Sequence, residues 1–471
     1  MDQDLPWWTE VVFGGWQGRS GPRYQRLAAA LLDAVQDRVL AAGTRVPAER
    51  VLAQAVGVSR GTIVACLDQL VTAGVLRRRV GSGTFVVGRP SWTATRPATS
   101  SVAELLLRRM AGDSSVIDLS VSGPSDLRHL PFVDLPAAWA SLDGNGLDPR
   151  GLPSLREAVA RHLTVHQQLQ TSPDQLVITS GAQEGLWLLG RVLRPVRVLA
   201  SCPTYPGLAG AFGPGAILPV PADDGGTSAN AIARAGTALA YVMPTGHNPS
   251  GIVMSSVRRQ AIAAIADAGR TVVVEDMALA DVLLDAGPGA QPLAALSPAV
   301  VAVGSVSKLL WGGLRIGWIR VGSSRLRDAL LARKAALNLA TSAVAQAIAA
   351  QLLTLVDADW LTAHRAALVQ RRDQLCSLID GQLQAWRFVP PAAGLSLWVW
   401  LPVTDAAAFA HVAGRHGVTV AAGSTACVCG QHHGYIRLSF AEQLDTLTLA
   451  VERLTVAWEA HTQNLAAGLV T

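Results

Sequence analysis

The sequence predicts an α/β protein in two parts. A small N-terminal head of helices is closed by a β-hairpin, and a large body carries a mostly parallel sheet with a smaller α+β lobe at its C-terminal end. Three observations predict this. First, 471 residues are too many for one core. Second, positive charge is concentrated at one end: residues 1–96 hold twelve Arg and no Lys against seven acids, an excess equal to the +5 of the whole chain. Third, from residue 117 onward short apolar runs alternate with Ala- and Leu-rich helical stretches, the pattern of a sheet covered on both faces. Half of the residues are apolar and 15% are charged, which excludes a disordered chain.

The head is read over residues 23–87. Apolar residues at 24, 27, 28, 31, 35 and 39 keep a helical period from Tyr24 to Leu40, and Gly43 and Pro47 punctuate it. Ala48 to Val56 is a short helix and Gly57 a turn. Ser59 then caps a second helix that buries Ile63, Leu67 and Leu70 and stops near Ala73, before Gly74. Leu76–Val80 and Thr84–Val87 are strands around Gly81-Ser82-Gly83. Residues 1–88 are thus one domain. Residues 89–116, rich in Pro, Ser and Thr, are a linker with a capping-box pair, Ser101 and Glu104, near its end. Residues 117–471 are the body. Its strands are expected at Leu176–Thr179, Val196–Ala200, Ala238–Met243, Thr271–Glu275 and Val300–Gly304. The smaller lobe, from about 361 to 471, adds Ser396–Leu401 and Tyr435–Ser439.

Five scattered cysteines, Cys66, Cys202, Cys376, Cys427 and Cys429, suggest no disulfide framework and fit a reducing cytoplasmic setting. The start, MDQDLPWWTEVVF, lacks a charged segment leading into an apolar core, and no uninterrupted apolar run of about 20 residues follows. A soluble protein with no membrane partner is expected. Cys427-x-Cys429-x2-His432-His433 has the look of a metal motif. With no second Cys/His pair at zinc-finger spacing, it reads as a structural loop, and no metal is expected.

A basic head on a neutral body points to nucleic acid at one end. The string VPAERVLAQAVGVSRGTIVACLDQLVTAGVLRRRVGSGTFVV, which begins at Val46, resembles the GntR family of winged helix-turn-helix regulators. The resemblance runs over 23–87 through Pro47, Glu49-Arg50, Val58-Ser59-Arg60, Thr62, Gly74 and the wing Gly81–Phe85. Small Ala53 and Gly57 let the two helices cross closely. Ser59, Arg60 and Thr62 open the helix that enters a major groove, where Arg60 can read guanine edges. Arg50 can clamp phosphate, and Arg77, Arg78 and Arg79 before the wing can neutralise backbone charge. Taken singly, each arginine reads as well as a solvated surface charge; the ordered pattern does not. The resemblance implies a double-stranded DNA operator contacted by Arg50, Arg60 and the wing Gly83.

Lysine is nearly absent from the chain, with Lys308 and Lys334 the two that occur against 37 arginines. A lysine that survives such replacement calls for a chemical reason. Lys308 sits in Gly304-Ser305-Val306-Ser307-Lys308, followed by Gly313-Leu314-Arg315-Ile316-Gly317-Trp318. Further strings precede it: Ile178-Thr179-Ser180-Gly181-Ala182-Gln183, Pro203-Thr204-Tyr205-Pro206-Gly207, Pro244-Thr245-Gly246-His247-Asn248-Pro249, and Val272–Asp276. Tyr435-Ile436-Arg437-Leu438-Ser439 follows. In this order, over about 117–445, they resemble the fold-type I aminotransferases. Joined to the head, they resemble the MocR/GabR-type subfamily of GntR regulators.

The resemblance implies pyridoxal 5'-phosphate (PLP) as cofactor, held covalently by Lys308, the catalytic lysine if the body turns over. Ser180, Gly181 and Ala182 at a helix start, with Ser305 and Arg315, would bind its phosphate. Tyr205 would stack on the ring, Asn248 would meet the phenolic oxygen, and Asp276 would pair with the pyridine nitrogen. Arg437 would take an effector carboxylate. Many relatives place a Tyr two or three residues after that Asp to support the phenolic oxygen. Here Ala278 and Leu279 stand, a loss of about 1 kcal/mol net, which argues against efficient transamination but not against binding. The function implied is a PLP-dependent regulator, a homodimer, sensing an amino-group metabolite or PLP itself. The alternative is a working aminotransferase that also binds DNA.

Overall fold

The computed structural model describes residues 5–36, 39–79, 82–87, 116–124, 127–236, 238–285 and 291–466. The capping-box pair Ser101 and Glu104, Gly81 of the wing, and the linker expected at 89–116 apart from its last residue lie outside them. The chain divides into two compact units, Met1–Pro97 and Ala98–Thr471.

In the first unit the helices Arg23–Gln36, Glu49–Val56 and Arg60–Thr72 stand with three strands: β1 (Arg45–Val46), β2 (Leu76–Arg79) and β3 (Gly83–Val86). The strands pair antiparallel in the order β1-β3-β2. Gly57, at φ 72°, ends the second helix in the left-handed region, which favours glycine, and the next helix departs at 115°. Its start is fixed by Ser59, whose hydroxyl accepts the N–H of Thr62 at 3.1 Å. Leu27, Leu31, Leu52, Ile63 and Leu67 form the core, each at most 1% exposed. The first helix is described as far as Gln36, and Val39 and Leu40 are no longer helical, short of the expected Leu40. Leu40 is still buried, and its N–H reaches back to the Ala34 carbonyl at 2.9 Å. The sequence reading passed over residues 5–18. They fold into short turns that bury Trp8, Phe13 and Trp16 in the same core.

The second unit holds β4 (Ile117–Asp118), β5 (Leu176–Thr179), β6 (Val198–Ser201), β7 (Ile217–Val220), the hairpin β8 (Ala222–Asp223) and β9 (Gly226–Thr227), β10 (Ala238–Val242), β11 (Thr271–Asp276), β12 (Val301–Ser305) and β13 (Gly317–Arg320). Seven of these form one sheet in the order β5-β13-β12-β11-β10-β6-β7, parallel except at β13. The continuous apolar runs are explained by period-two alternation onto two cores. Val177, Leu239, Tyr241, Val301 and Ile319 face the helices Ala182–Leu193 and Ser324–Asn338. Ile178, Ala240, Val242, Ala302 and Trp318 face Pro153–His166, Ser256–Asp267 and Ala343–Leu355.

A third core belongs to the smaller lobe. There β14 (Arg387–Phe388), β15 (Ser396–Trp400), β18 (Tyr435–Ser439) and β17 (Ala421–Ala422) pair antiparallel, and β16 (Val418–Thr419) runs parallel to β4. The helices Ala358–Gln382, Ala406–Arg415 and Leu444–Ala466 cover them. This core also takes Leu119, Val282 and Leu284, far upstream of residue 361. Partners so distant in the chain leave no local periodicity to read.

Candidate functional site

Loops leaving the carboxyl ends of β5, β6, β10, β11 and β12 meet β18 and residues 120–122 around a cavity of about 200 Å³. That edge is where α/β sheets bind ligands, because strand ends and helix starts leave backbone groups unpaired there. Gly181, Ala182, Tyr205, Asn248, Asp276, Ser305, Lys308, Arg315 and Arg437 all line the cavity.

At one end Gly181, at φ 125°, precedes the helix that Ala182 opens. A Cβ on Gly181 would lie 3.0 Å from the Arg315 guanidinium, so glycine is what lets the two approach. Arg315 is itself left-handed, at φ 51°. Gly317 brings β13 against the same loop: its Cβ would fall 2.6 Å from the Gly181 Cα. The Ser305 hydroxyl lies 2.9 Å from that of Ser307 and donates to the Ile316 carbonyl at 3.1 Å. Ser180, expected beside these groups, is not on the cavity wall. Its N–H and hydroxyl both donate to Glu184, one helical turn on, at 2.5 and 2.6 Å. A carboxylate at that helix start has captured the serine.

In the middle, Asp276 ends β11 fully enclosed. Its Oδ2 accepts from the Tyr241 hydroxyl at 2.6 Å and its Oδ1 from the Ala278 N–H at 2.8 Å. Burial raises its pKa, against the pull of those two donors and of Lys308. Burial, with Asp276 adding to it, pushes the Tyr205 phenol up to about 12. Lys308 Nζ donates to the Ser122 carbonyl. Burial, then Arg437 and Arg315, lower its pKa to about 8, and Asp276 offsets them in part. Ala278 and Leu279 do lie on the wall, so no phenol stands there.

At the far end Arg437 donates to Asn248 Oδ1 at 2.9 Å and to the Ser120 carbonyl at 2.6 Å. Burial lowers its pKa to about 10, and its Nε has no hydrogen-bond partner among the described residues. Sequence reasoning missed Ser120, Ser122, Tyr241 and His247. Tyr241 carried a signal, being one of four tyrosines in the chain. His247 carried a weaker one as the neighbour of Asn248. It is buried between the Ser201 and Ser250 hydroxyls at 2.8 and 2.7 Å, and burial lowers its pKa to about 4. Ser120 and Ser122 serve through backbone carbonyls, for which side-chain identity gives no cue.

Three cations and one enclosed carboxylate around a cavity with helix-start N–H groups at one end suit an anionic ligand with a basic ring nitrogen. PLP is such a molecule. Its phosphate matches the Gly181–Arg315 end, its ring nitrogen the buried Asp276, and its aldehyde the amine of Lys308. The residues present fit it.

In the first unit Arg50, Ser59, Arg60, Arg78 and Gly83 are exposed and Thr62 is half-buried. Ser59 and Thr62 share a hydroxyl contact of 2.8 Å at the start of the second helix of the turn. Glu49 holds Arg60 at 3.3 Å and Arg78 at 3.2 Å, and Arg78 also pairs with Asp68. Exposed pairs of this kind are worth about 0–1 kcal/mol, so phosphates can displace them. Gly83, at φ 110°, lets the wing turn beside the Arg45 guanidinium.

These two units define a class: a winged helix-turn-helix reader of DNA joined to a PLP-binding body of aminotransferase type. Residues 116–454 match the family described as aminotransferase class I and II, and residues 23–86 match the bacterial regulatory proteins of the gntR family. The HTH-type transcriptional regulator YisV of Bacillus subtilis (strain 168) is 29% identical over 414 residues, spanning 80% of this chain and 84% of its own length. The HTH-type pyridoxine biosynthesis transcriptional regulator PdxR of Corynebacterium glutamicum is 30% identical over 295 residues, spanning 60% of this chain and 62% of its own. A crystal structure of an archaeal alanine:glyoxylate aminotransferase matches with a TM-score of 0.69 and 27% identity, covering 76% of this chain and 95% of that one. The chain belongs to the MocR/GabR-type subfamily of GntR transcription regulators, DNA-binding proteins whose aminotransferase-like body takes PLP.

Proposed function

We propose that this regulator reads an amino-group ligand, or PLP itself, in the body cavity and converts its occupancy into a change of affinity for its operator. When bound, PLP supplies an aldehyde that reacts with primary amines and a ring that accepts electrons. Lys308 holds the aldehyde end, and a pKa of about 8 makes its amine neutral and nucleophilic in a far larger fraction of molecules than an ordinary lysine. Asp276 keeps the ring nitrogen protonated, exchanging a costly isolated burial for an ion pair. Tyr205 covers the ring against water. Gly181, Ala182, Ser305 and Arg315 bind the phosphate, and Asn248 offers its amide N–H to the phenolic oxygen while its Oδ1 orients Arg437 toward a ligand carboxylate. In the head, Arg50, Arg60, Arg78 and the wing at Gly83 bind the duplex, with Ser59 and Thr62 setting the helix start. A ligand shifts DNA affinity only as far as it binds the two states of the body unequally.

The observation that carries this reading is a buried Arg437, its Nε without a hydrogen-bond partner among the described residues, on the wall of the same cavity as a depressed Lys308. The test is an absorbance titration. PLP colours the protein, Lys308→Ala abolishes the covalent band, and amino acids shift it. Arg437→Gln weakens carboxylate ligands about 10- to 100-fold, as loss of a charged hydrogen-bonded pair implies, and leaves amines without a carboxylate unaffected. Colourless protein at saturating PLP would overturn the reading. Sustained turnover of an amino acid with a keto acid would favour an enzyme instead.

A homodimer in the bacterial cytoplasm, where operator DNA resides, completes the proposal. Phe132, Leu135, Trp139 and Leu147 support it as large apolar side chains at least half exposed along one short stretch. Light scattering of the wild type against Trp139→Asp tests it: the wild type is dimeric and the variant shifts toward monomer.

A further inference from the structure

The loop read from sequence as merely structural gains a fourth donor in the fold. Cys202, more than two hundred residues upstream, stands beside Cys427, Cys429 and His432, and the four ligand atoms lie within 4.8 Å of one another. We propose that these residues form a structural zinc site of Cys3His type, which staples the loop carrying Tyr205 to the loop that leads into the Arg437 strand.

The geometry supports a tetrahedral ion. Zinc bonds of about 2.3 Å to sulfur and about 2.0–2.1 Å to nitrogen give tetrahedral edges of about 3.8 Å between sulfurs and about 3.6 Å between sulfur and nitrogen. Here Cys202–Cys427 and Cys427–Cys429 are 3.6 and 3.7 Å apart, sulfur to sulfur. His432 Nδ1 lies 3.7, 3.4 and 3.9 Å from Cys202, Cys427 and Cys429. Hydrogen bonding does not account for such a gathering, because thiols are weak donors and weak acceptors. Soft thiolates with one imidazole, closed at four protein ligands, suit zinc in a structural rather than a catalytic role.

The surroundings match. The Val428 N–H points at Cys202 Sγ at 3.3 Å, the kind of backbone contact that steadies a metal-bound thiolate. The His432 ring packs against the stacked pair of Tyr435 and Trp398, with centroids 5.6 and 6.2 Å away. All four ligands are partly exposed, which leaves an entry path. On binding, each thiol gives its proton to solvent and His432 coordinates as neutral imidazole with its proton on Nε2. Cys202 follows β6 directly and lies three residues before Tyr205, while His432 lies five before Arg437. The two loops are already joined by the Thr204 N–H to the Ala426 carbonyl at 2.9 Å.

The experiment is metal analysis of the full-length protein purified reduced and without an affinity metal, followed by Co2+ substitution. About one zinc per chain is expected, and the Co2+ form should show thiolate charge-transfer and intense tetrahedral d–d bands. Cys429→Ser and Cys202→Ser should lose the metal, while Cys376→Ala, outside the cluster, should keep it. PLP colour reports on Lys308 alone, so it separates failure of this proposal from failure of the functional one. Protein that carries no zinc and gives no tetrahedral Co2+ spectrum overturns the site without recourse to any variant. So does a disulfide among these cysteines, mapped by mass spectrometry in the reduced preparation.

Discussion

Lys308 and Lys334 show how one residue type is put to opposite uses. Folded Lys308 holds its proton less tightly than it does in the unfolded chain. Between about 8 and the ordinary 10.5, unfolding therefore takes up protons and stability rises with pH, while below about 8 the penalty is constant. The PLP-free protein should gain stability over Lys308→Ala-type controls as they are compared from low to high pH in that window. Denaturation curves that move in parallel would mean that the amine is solvated. The rate of colour formation with PLP should rise through the same value, because the neutral amine is the nucleophile. Lys334 is 0% exposed and its Nζ has no hydrogen-bond partner among the described residues. Burial lowers its pKa, with Glu184 and Asp148 opposing. A charge left unpaired in that way costs about 1–3 kcal/mol or more, so Lys334→Met should stabilise the second unit. A loss of stability on urea titration would reveal a partner for the amine.

Among the elements, the helix Arg60–Thr72 depends on one hydroxyl. Ser59→Ala removes the acceptor of the Thr62 N–H and should cost about 1 kcal/mol. It should also weaken operator binding, because the residues proposed to enter the groove sit on that first turn. Unchanged thermal stability together with weaker binding would mean that Ser59 acts on DNA rather than on the helix. The strands of the large sheet divide their labour by parity. In β10, Leu239 and Tyr241 pack on one core while Ala240 and Val242 pack on the other. The same alternation aims Tyr241 so that its hydroxyl meets Asp276 on the neighbouring β11. Pairing of adjacent strands thus builds part of the candidate cofactor site from residues 35 apart in the chain.

At the scale of the whole molecule, the head and the body have separate cores, so the protein should unfold in two calorimetric transitions. The groups proposed to bind PLP all belong to the second unit. At a hundred times its Kd it adds about 2.7 kcal/mol to that unit and should move one transition while leaving the other in place. Movement of both together would mean that the two units unfold cooperatively. The charge is divided the same way, since the excess of arginine lies in the first fifth of the chain. Operator affinity should fall steeply with salt, and ligand affinity for the body much less.

The sequence by itself determined the two-part plan, five of the seven strands of the large sheet and the identity of the chemical groups, while β7 and the antiparallel β13 went unread. Local periodicity, turn residues and scarce lysine are written along the chain, where spacing alone can be read. The residues 117–119 that join the smaller lobe, the diversion of Ser180 to Glu184, the Ser120 and Ser122 carbonyls and the arrival of Cys202 beside Cys427 were decided by tertiary structure. Each depends on a partner distant in the chain or on a backbone atom common to every residue, and such meetings exist only once the sheet has closed.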